Sequence, residues 1–186
     1  MTKNNLAIIV LNWNGADDAL ECINSLARQT LKPTIIIVDN HSHDDSVMRF
    51  EQYQTEHPSV DCIIIANNKN LGFAGGINTG LVYARKQGFE YIGVLNPDAV
   101  ADKNWCRALV DELSSQPKCG IATGILQRRD GKTLDTTGDF YTTWGLPGPR
   151  NRDEPVENAP SKPGEVFGAT GGGAIYRAAI FDDIDM

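Results

Sequence analysis

A chain of 186 residues, 41% hydrophobic and 22% charged, is long enough to bury one core and has the composition of an ordinary globular domain. A formal net charge of -7, with no basic run or arginine-rich face, argues against a nucleic-acid backbone or an anionic membrane as the main partner. It leaves a nucleotide open, because a small acidic protein can hold a diphosphate through a metal ion and backbone amides.

Cys22, Cys62, Cys106 and Cys119 stand far apart, match no paired metal-ligand spacing, and each lies in or beside an apolar run. Buried free thiols, and with them a reducing cytosol, are the expectation. The polar start leads into only six apolar residues, 6–11, too few for a signal-peptide core or a membrane span.

Residues 6–11 (Leu-Ala-Ile-Ile-Val-Leu) form a continuous apolar run, as expected of a strand covered on both faces. Asn12 to Gly15 end it. A helix follows from about Asp17, with Ala19, Leu20, Ile23 and Leu26 on one face. Residues 34–38 are a second buried strand ending at Asp39 and Asn40. Ser42 is placed to cap a helix ahead of Asp44 and Asp45, whose charges suit a helix N-terminus. Cys62–Ala66 is the third strand, followed by a turn with Asn67, Asn68 and Asn70. Residues 72–88 hold a glycine-rich entry and a helix carrying Leu81, Val82 and Ala84. Tyr91–Leu95 is the fourth strand, with Asn96-Pro97-Asp98 at its C-terminal end, and Asn104 caps a helix running to about Ser115.

Repeated strand–helix units predict a largely parallel sheet with right-handed crossovers, which gathers ligands at the C-terminal ends of its strands. Asn12, Asp39, Asn70 and Asp98 all fall at such ends. After Gly120 the alternation stops. Residues 121–127 are strand-like, 128–132 read as a hairpin turn, and 138–164 form a long loop rich in Pro, Gly, Asn and charge. Residues 168–176 are glycine-rich and then apolar. The expected fold is a single α/β domain over 1–186. It has a mostly parallel central sheet with flanking helices and a small mixed sheet at the C-terminal end.

Four segments occur in order: Ile-Val-Leu-Asn-Trp-Asn-Gly at 9–15, Ile-Val-Asp-Asn-His-Ser at 37–42, Asn-Leu-Gly-Phe-Ala-Gly-Gly-Ile-Asn at 70–78, and Leu-Asn-Pro-Asp at 95–98. In this register they resemble the family 2 glycosyltransferases with the glycosyltransferase-A fold, especially the rhamnosyltransferase-like branch, over essentially the whole chain. The resemblance implies a nucleotide-binding half at 1–118 and the start of an acceptor-side half at 119–186.

It also implies roles. Breaking the glycosidic bond of a sugar nucleotide leaves negative charge on the diphosphate, which a divalent cation, Mn or Mg, neutralises and a carboxylate must hold. Asp98 is that carboxylate, the second position of the family's Asp-x-Asp motif. The first is Asn96 here, an amide that can bond a ribose or a metal-bound water but brings no charge. Taken alone, Asn-Pro-Asp is also a common turn. Asp39 would accept from the imino N–H of uracil or thymine; alternatively it bonds the amides of the turn that follows it. Trp13 can offer a face to the base, and the backbone near Leu11 can read its edge. Gly72 lets the chain approach the nucleotide at a helix start. Asn70 and Asn78 hold that loop, and Asn70 also reaches towards the nucleotide. Ile77 stands where many relatives carry a basic residue. Gly172 and Gly173, within Gly-Gly-Gly-Ala at 171–174, either leave room for the donor sugar or mark a bend. His41, His43 and His57 are solvated surface residues.

Inverting transfer needs a general base for the acceptor hydroxyl. The resemblance implies that this Asp or Glu lies beyond Met186 in a chain that is truncated, with Asp182, Asp183 and Asp185 as solvated charges. The implied donor is dTDP- or UDP-linked, rhamnose first, and the acceptor a glycan or lipid-linked saccharide in cell-surface polysaccharide synthesis. The implied location is cytoplasmic, with room for peripheral association at the inner membrane face. Two other classes compete: a nucleotide-sugar-binding module without catalysis, and a sugar-nucleotide pyrophosphorylase. The latter should carry a glycine-rich basic loop where Asn12-Trp13-Asn14-Gly15 stands. A dehydrogenase lacks support at the same turn, which has no glycine fingerprint.

Overall fold

The computed structural model describes residues 5–183. Strands β1 (Leu6–Asn12), β2 (Thr34–Asp39) and β4 (Tyr91–Leu95) are buried along their whole length. Their alternate residues feed two cores, one on each face of the sheet. β3 (Cys62–Ala66) forms an edge and is only partly covered. The six-stranded sheet has the order β3-β2-β1-β4-β10-β5, with β5 at Ile121–Thr123 and β10 at Gly173–Arg177. The first four strands are parallel, β10 runs antiparallel to β4, and β5 antiparallel to β10. A small extra sheet system is present as two antiparallel ribbons: β6 (Leu126–Gln127) with β7 (Leu134–Thr136), and β8 (Asp139–Tyr141) with β9 (Pro147–Pro149).

Helices α1 (Ala16–Ala27), α2 (Ser46–Glu56) and α4 (Trp105–Ser115) bury Ile23, Leu26, Phe50, Leu109 and Leu113 against Ile8, Val10, Ile35 and Ile37 on one face. Helix α3 (Gly72–Gln87) covers the other face, over Ile9, Leu11, Ile36 and Val38. It docks closely because two glycines face the sheet. A Cβ on Gly76 would fall 2.4 Å from Leu11 Cδ1, and one on Gly80 would fall 2.8 Å from Ile9 Cγ2. Among the described residues, no helix is long and apolar enough to cross a membrane.

Three local expectations need correction. Ser42 caps no helix: α2 starts at Ser46, whose N–H donates to Asp44 Oδ1 at 3.1 Å, and the Ser42 side chain bonds Asp39 instead. Asn104 does precede α4, but its side-chain oxygen accepts from the Thr30 hydroxyl at 3.2 Å rather than from the helix amides. Residues 138–164 are not a structureless loop, because they contain β8, β9 and a 3-10 turn at Val156–Asn158.

Cys22, Cys62 and Cys106 are free and buried, and Cys119 is free and half-buried. Burial pushes the thiols of Cys22 and Cys106 up to about 12 and that of Cys62 up to about 11. A raised thiol pKa leaves little thiolate, the reactive form, in neutral buffer. Thiol titration with DTNB is therefore expected to modify Cys119 alone in the native protein. The other three react only after denaturant is added.

Candidate functional site

The C-terminal ends of β1 and β2 are in register, Asn12 beside Asp39, and both side chains are buried at 0% and 1% exposure. The Asp39 carboxylate accepts from Asn12 Nδ2 at 2.9 Å and the Ser42 hydroxyl at 2.6 Å through Oδ1, and from the Ser42 N–H at 2.9 Å through Oδ2. Ser42 Oγ in turn accepts from the Asn14 N–H at 2.9 Å, and Asn14 Oδ1 accepts from the His43 N–H at 2.8 Å. The loops after β1 and β2 are thus stitched together. Within it Asn14 and His41 hold left-handed backbone, φ 52° and 67°, a conformation uncommon outside glycine that Asn and His adopt more readily than most residues. On this stitched loop Trp13 stands 57% exposed. The β1–β4 ladder ends at Ile9 opposite Val94, so Leu11 has no register partner in β4. Among the described residues, the buried oxygen Asn12 Oδ1 has no hydrogen-bond partner.

A second network ties β2 to α3. Asn40 Oδ1 accepts from Asn67 Nδ2 at 3.1 Å and the Leu71 N–H at 3.0 Å, while its Nδ2 donates to Asn70 Oδ1 at 2.9 Å and the Gly72 carbonyl at 3.1 Å. Asn70 Oδ1 also accepts from the Gly72 N–H at 2.8 Å. Gly72 itself sits at φ 70°, where a side chain would be strained. Asn70 holds the loop as expected. Asn78 does not help to hold it, because it lies within α3, beside an apolar groove lined by Ile9, Ile77 and Leu81. The organising residue is Asn40, to which the sequence assigned no role, although an asparagine after a buried strand and before an asparagine-rich turn was the available signal. Asn40→Ala removes four bonds at once from a buried side chain and unties the loop that leads into α3. Urea unfolding is expected to show a loss of about 2–3 kcal/mol.

Beyond β4, Asn96-Pro97-Asp98-Ala99 is a tight turn, closed by the Ala99 N–H on the Asn96 carbonyl at 3.1 Å. The Asn96 N–H donates to the Gly172 carbonyl at 3.0 Å, and Gly173 pairs with Leu95. A Cβ on Gly172 would lie 3.6 Å from Asn96 Nδ2. The glycine segment and the Asn-Pro-Asp turn are therefore one locus. The Asp98 side chain is exposed. One neighbour was not foreseen: Arg129, from the β6–β7 turn, donates to the Asp98 carbonyl at 3.4 Å and pairs with Asp18 at 2.9 Å and Glu21 at 3.6 Å. A turn arginine carries no local mark of such a position. β1 lies between β2 and β4, so Asp39 and the Asp98 turn are two strand spacings apart, roughly 10 Å.

Among the described residues, no group of three or more His, Cys, Asp or Glu side chains is placed to hold a metal ion. Such a group would be the start of an all-protein cage. A single accessible carboxylate fits the other mode, in which Mg or Mn keeps water and takes its remaining ligands from phosphate oxygens. Among the described residues no side chain hydrogen-bonds the Asp98 carboxylate, so it fits that mode. His41, His43 and His57 are exposed. At the C-terminal end Asp182 pairs with Arg85 at 2.5 Å and Asp183 is exposed; Asp185 lies outside the described residues.

The same α/β fold is seen in solved structures that hold sugar nucleotides. The mannosyltransferase PcManGT from Pyrobaculum calidifontis, in complex with GDP-Man and Mn2+, superposes with a TM-score of 0.68 at 16% identity, over 97% of this chain and 46% of that one. S. aureus TarS 1-349 in complex with UDP-GlcNAc gives 0.64 at 16% identity, over 97% and 47%. At such identities the likeness is one of fold. The model of glycosyl transferase family 2 matches residues 7–185, and the chain belongs to that family. The galactofuranosyltransferase GlfT1 of Mycobacterium tuberculosis is 28% identical over 123 residues, 66% of this chain and 38% of that protein. The chain thus spans less than half the length of these relatives.

Proposed function

We propose that this chain is the donor-binding part of a transferase that moves a sugar from a nucleoside diphosphate to a glycan or lipid-linked acceptor. The observation that carries the proposal is the placement of Asp39 and Asp98 on either side of β1 along one sheet edge. Their separation suits a nucleotide whose base meets one end and whose diphosphate meets the other. A uracil or thymine would lie against Trp13, with its edge at the Leu11 backbone. Its imino N–H would reach Asp39 Oδ2, which holds one hydrogen bond where two lone pairs are available. Asn96, at the diphosphate end, would bond the ribose, while Asn70 and the loop at Gly72, tied to Asn40, would flank the nucleotide at its base end. Asp98 would hold Mn or Mg, which when bound stabilises the departing diphosphate. Gly172 and Gly173 would leave room for the sugar, rhamnose being the first candidate. The GDP-Man and Mn2+ of PcManGT and the UDP-GlcNAc of TarS support this division of labour.

Inversion requires a base at the acceptor oxygen. Asp182 is engaged with Arg85 on α3, and we assign it no catalytic part. A general base outside the described residues completes our proposal. The working location is the cytoplasm, with the acceptor at the inner membrane face.

A thermal-shift panel of nucleoside diphosphates and their sugars, with and without manganese or magnesium, tests the proposal. A ligand at a hundred times its Kd stabilises by about 2.7 kcal/mol, so a metal-dependent rise in melting temperature is expected. A panel in which no nucleotide raises it would sink the donor site. Binding without turnover is expected of this donor-binding part alone; transfer once the general base is also supplied separates the transferase from a nucleotide-sugar-binding module, which would still only bind.

A further inference from the structure

The segment 139–167 takes no part in the donor site, yet it displays a dense set of exposed aromatic rings. Trp144 is 89% and Phe167 74% exposed, and Phe140, Tyr141 and Leu146 are also open to solvent. The display is built. The turn between β8 and β9 is closed by the Thr142 N–H on the Leu146 carbonyl at 2.9 Å and by the Leu146 N–H on Thr142 Oγ1 at 3.0 Å. Gly145 sits at φ 80° in that turn, and the Phe140 ring packs over Gly148, where a Cβ would fall 2.6 Å from its Cζ. Tyr141 and Phe167 stack with centroids 5.0 Å apart and planes 19° apart.

This face is also fastened to the donor site. The Asp139 N–H donates to the Gly168 carbonyl at 2.9 Å, and the same segment continues to Gly172, whose carbonyl accepts from Asn96. We propose that the Tyr141–Phe167 stack and Trp144 form a saccharide platform on which the acceptor glycan lies. The proposal rests on the donor site argued above, beside which an acceptor must approach. Aromatic faces carry a negative quadrupole, and the C–H bonds on one face of a pyranose present positive edges to it. Thr143, exposed and next to Trp144 in the turn, adds a hydroxyl. A lipid surface fits less well. Across 139–167 the acidic residues Asp139, Asp153, Glu154, Glu157 and Glu165 outnumber Arg150, Arg152 and Lys162, and Arg152 is paired with Asp135, so anionic headgroups would meet a net negative segment in a chain of net charge -7.

The test uses the 186-residue chain on an array of immobilised mono- to tetrasaccharides, comparing the unaltered protein with Trp144→Ala, Trp144→Phe and the double variant Tyr141→Ala, Phe167→Ala. Melting temperatures establish that each variant folds. The expected result is retention of a subset of saccharides, weakened about three- to tenfold by each alanine variant and restored by Trp144→Phe. Binding of UDP and dTDP with manganese, measured by calorimetry, stays unchanged in all of them. If the unaltered chain binds no nucleotide yet shows the aromatic-dependent retention, the platform stands and the donor site falls. The proposal is overturned if no saccharide is retained or if retention ignores the aromatic substitutions. It is equally overturned if the alanine variants instead lose binding to phosphatidylglycerol vesicles, which would make the hairpin a membrane contact.

Discussion

Replacing Asp98 with Asn is expected to remove the manganese-dependent part of nucleoside diphosphate affinity while leaving the fold intact. The carboxylate is exposed, and what the fold uses of Asp98 is its backbone, through the Arg129 contact to the carbonyl. An exposed substitution of this kind changes stability by about 0.5 kcal/mol or less. The metal, in contrast, would lose the one carboxylate at the turn, since Asn96 cannot replace its charge. Changing residues that merely support a metal ligand lowers affinity about 10–100-fold, so losing the ligand itself should cost at least about a hundredfold. Calorimetry with UDP or dTDP, with and without manganese, reads this directly. Unchanged manganese-dependent binding in the variant would take the metal away from Asp98 and direct attention to Asp18 and Glu21, which pair with Arg129.

The second large effect concerns the base. With Asp39 Oδ2 as acceptor, uridine and thymidine diphosphates present a proton at N3, whereas cytidine diphosphate presents a lone pair to the carboxylate. A hydrogen bond to a charged group contributes about 1.5–3 kcal/mol, so UDP and dTDP should bind more than about tenfold tighter than CDP. Competition calorimetry at fixed manganese measures the ratio. Equal affinities, or a preference for purines, would leave Asp39 with the structural role its three bonds to Asn12 and Ser42 already describe. The comparison among nucleotides is more telling than an Asp39→Ala variant. That change would leave Asn12 and Ser42 without their shared acceptor and cost about 2–3 kcal/mol of stability whatever the ligand.

The chain's own residue order determined the buried strands and the positions of Asn12, Asp39, Asn70 and Asp98 at their ends. A run such as Thr34–Asp39, buried at every position, has no polar face to turn to water, so it reads the same in the sequence as in the sheet. Helix α3 was legible from Gly72, and the Asn96-Pro97-Asp98 turn from its composition. Tertiary structure alone decided the rest. β5 and β10 owe their place to pairing with each other and with β4, and three-residue strands such as β5 carry too short a pattern to announce a partner. Ser42 looked like a helix cap because its neighbours are acidic, but the nearby Asp39 carboxylate, which no local rule supplies, captured its hydroxyl. Asn40 and Arg129 gained their partners from segments about 30 residues or more away, and the exposed aromatic hairpin hid in what read as a polar loop. Hydrophobic periodicity reports which residues leave water. Which polar groups meet once they have done so depends on chain segments that only the packed fold brings together.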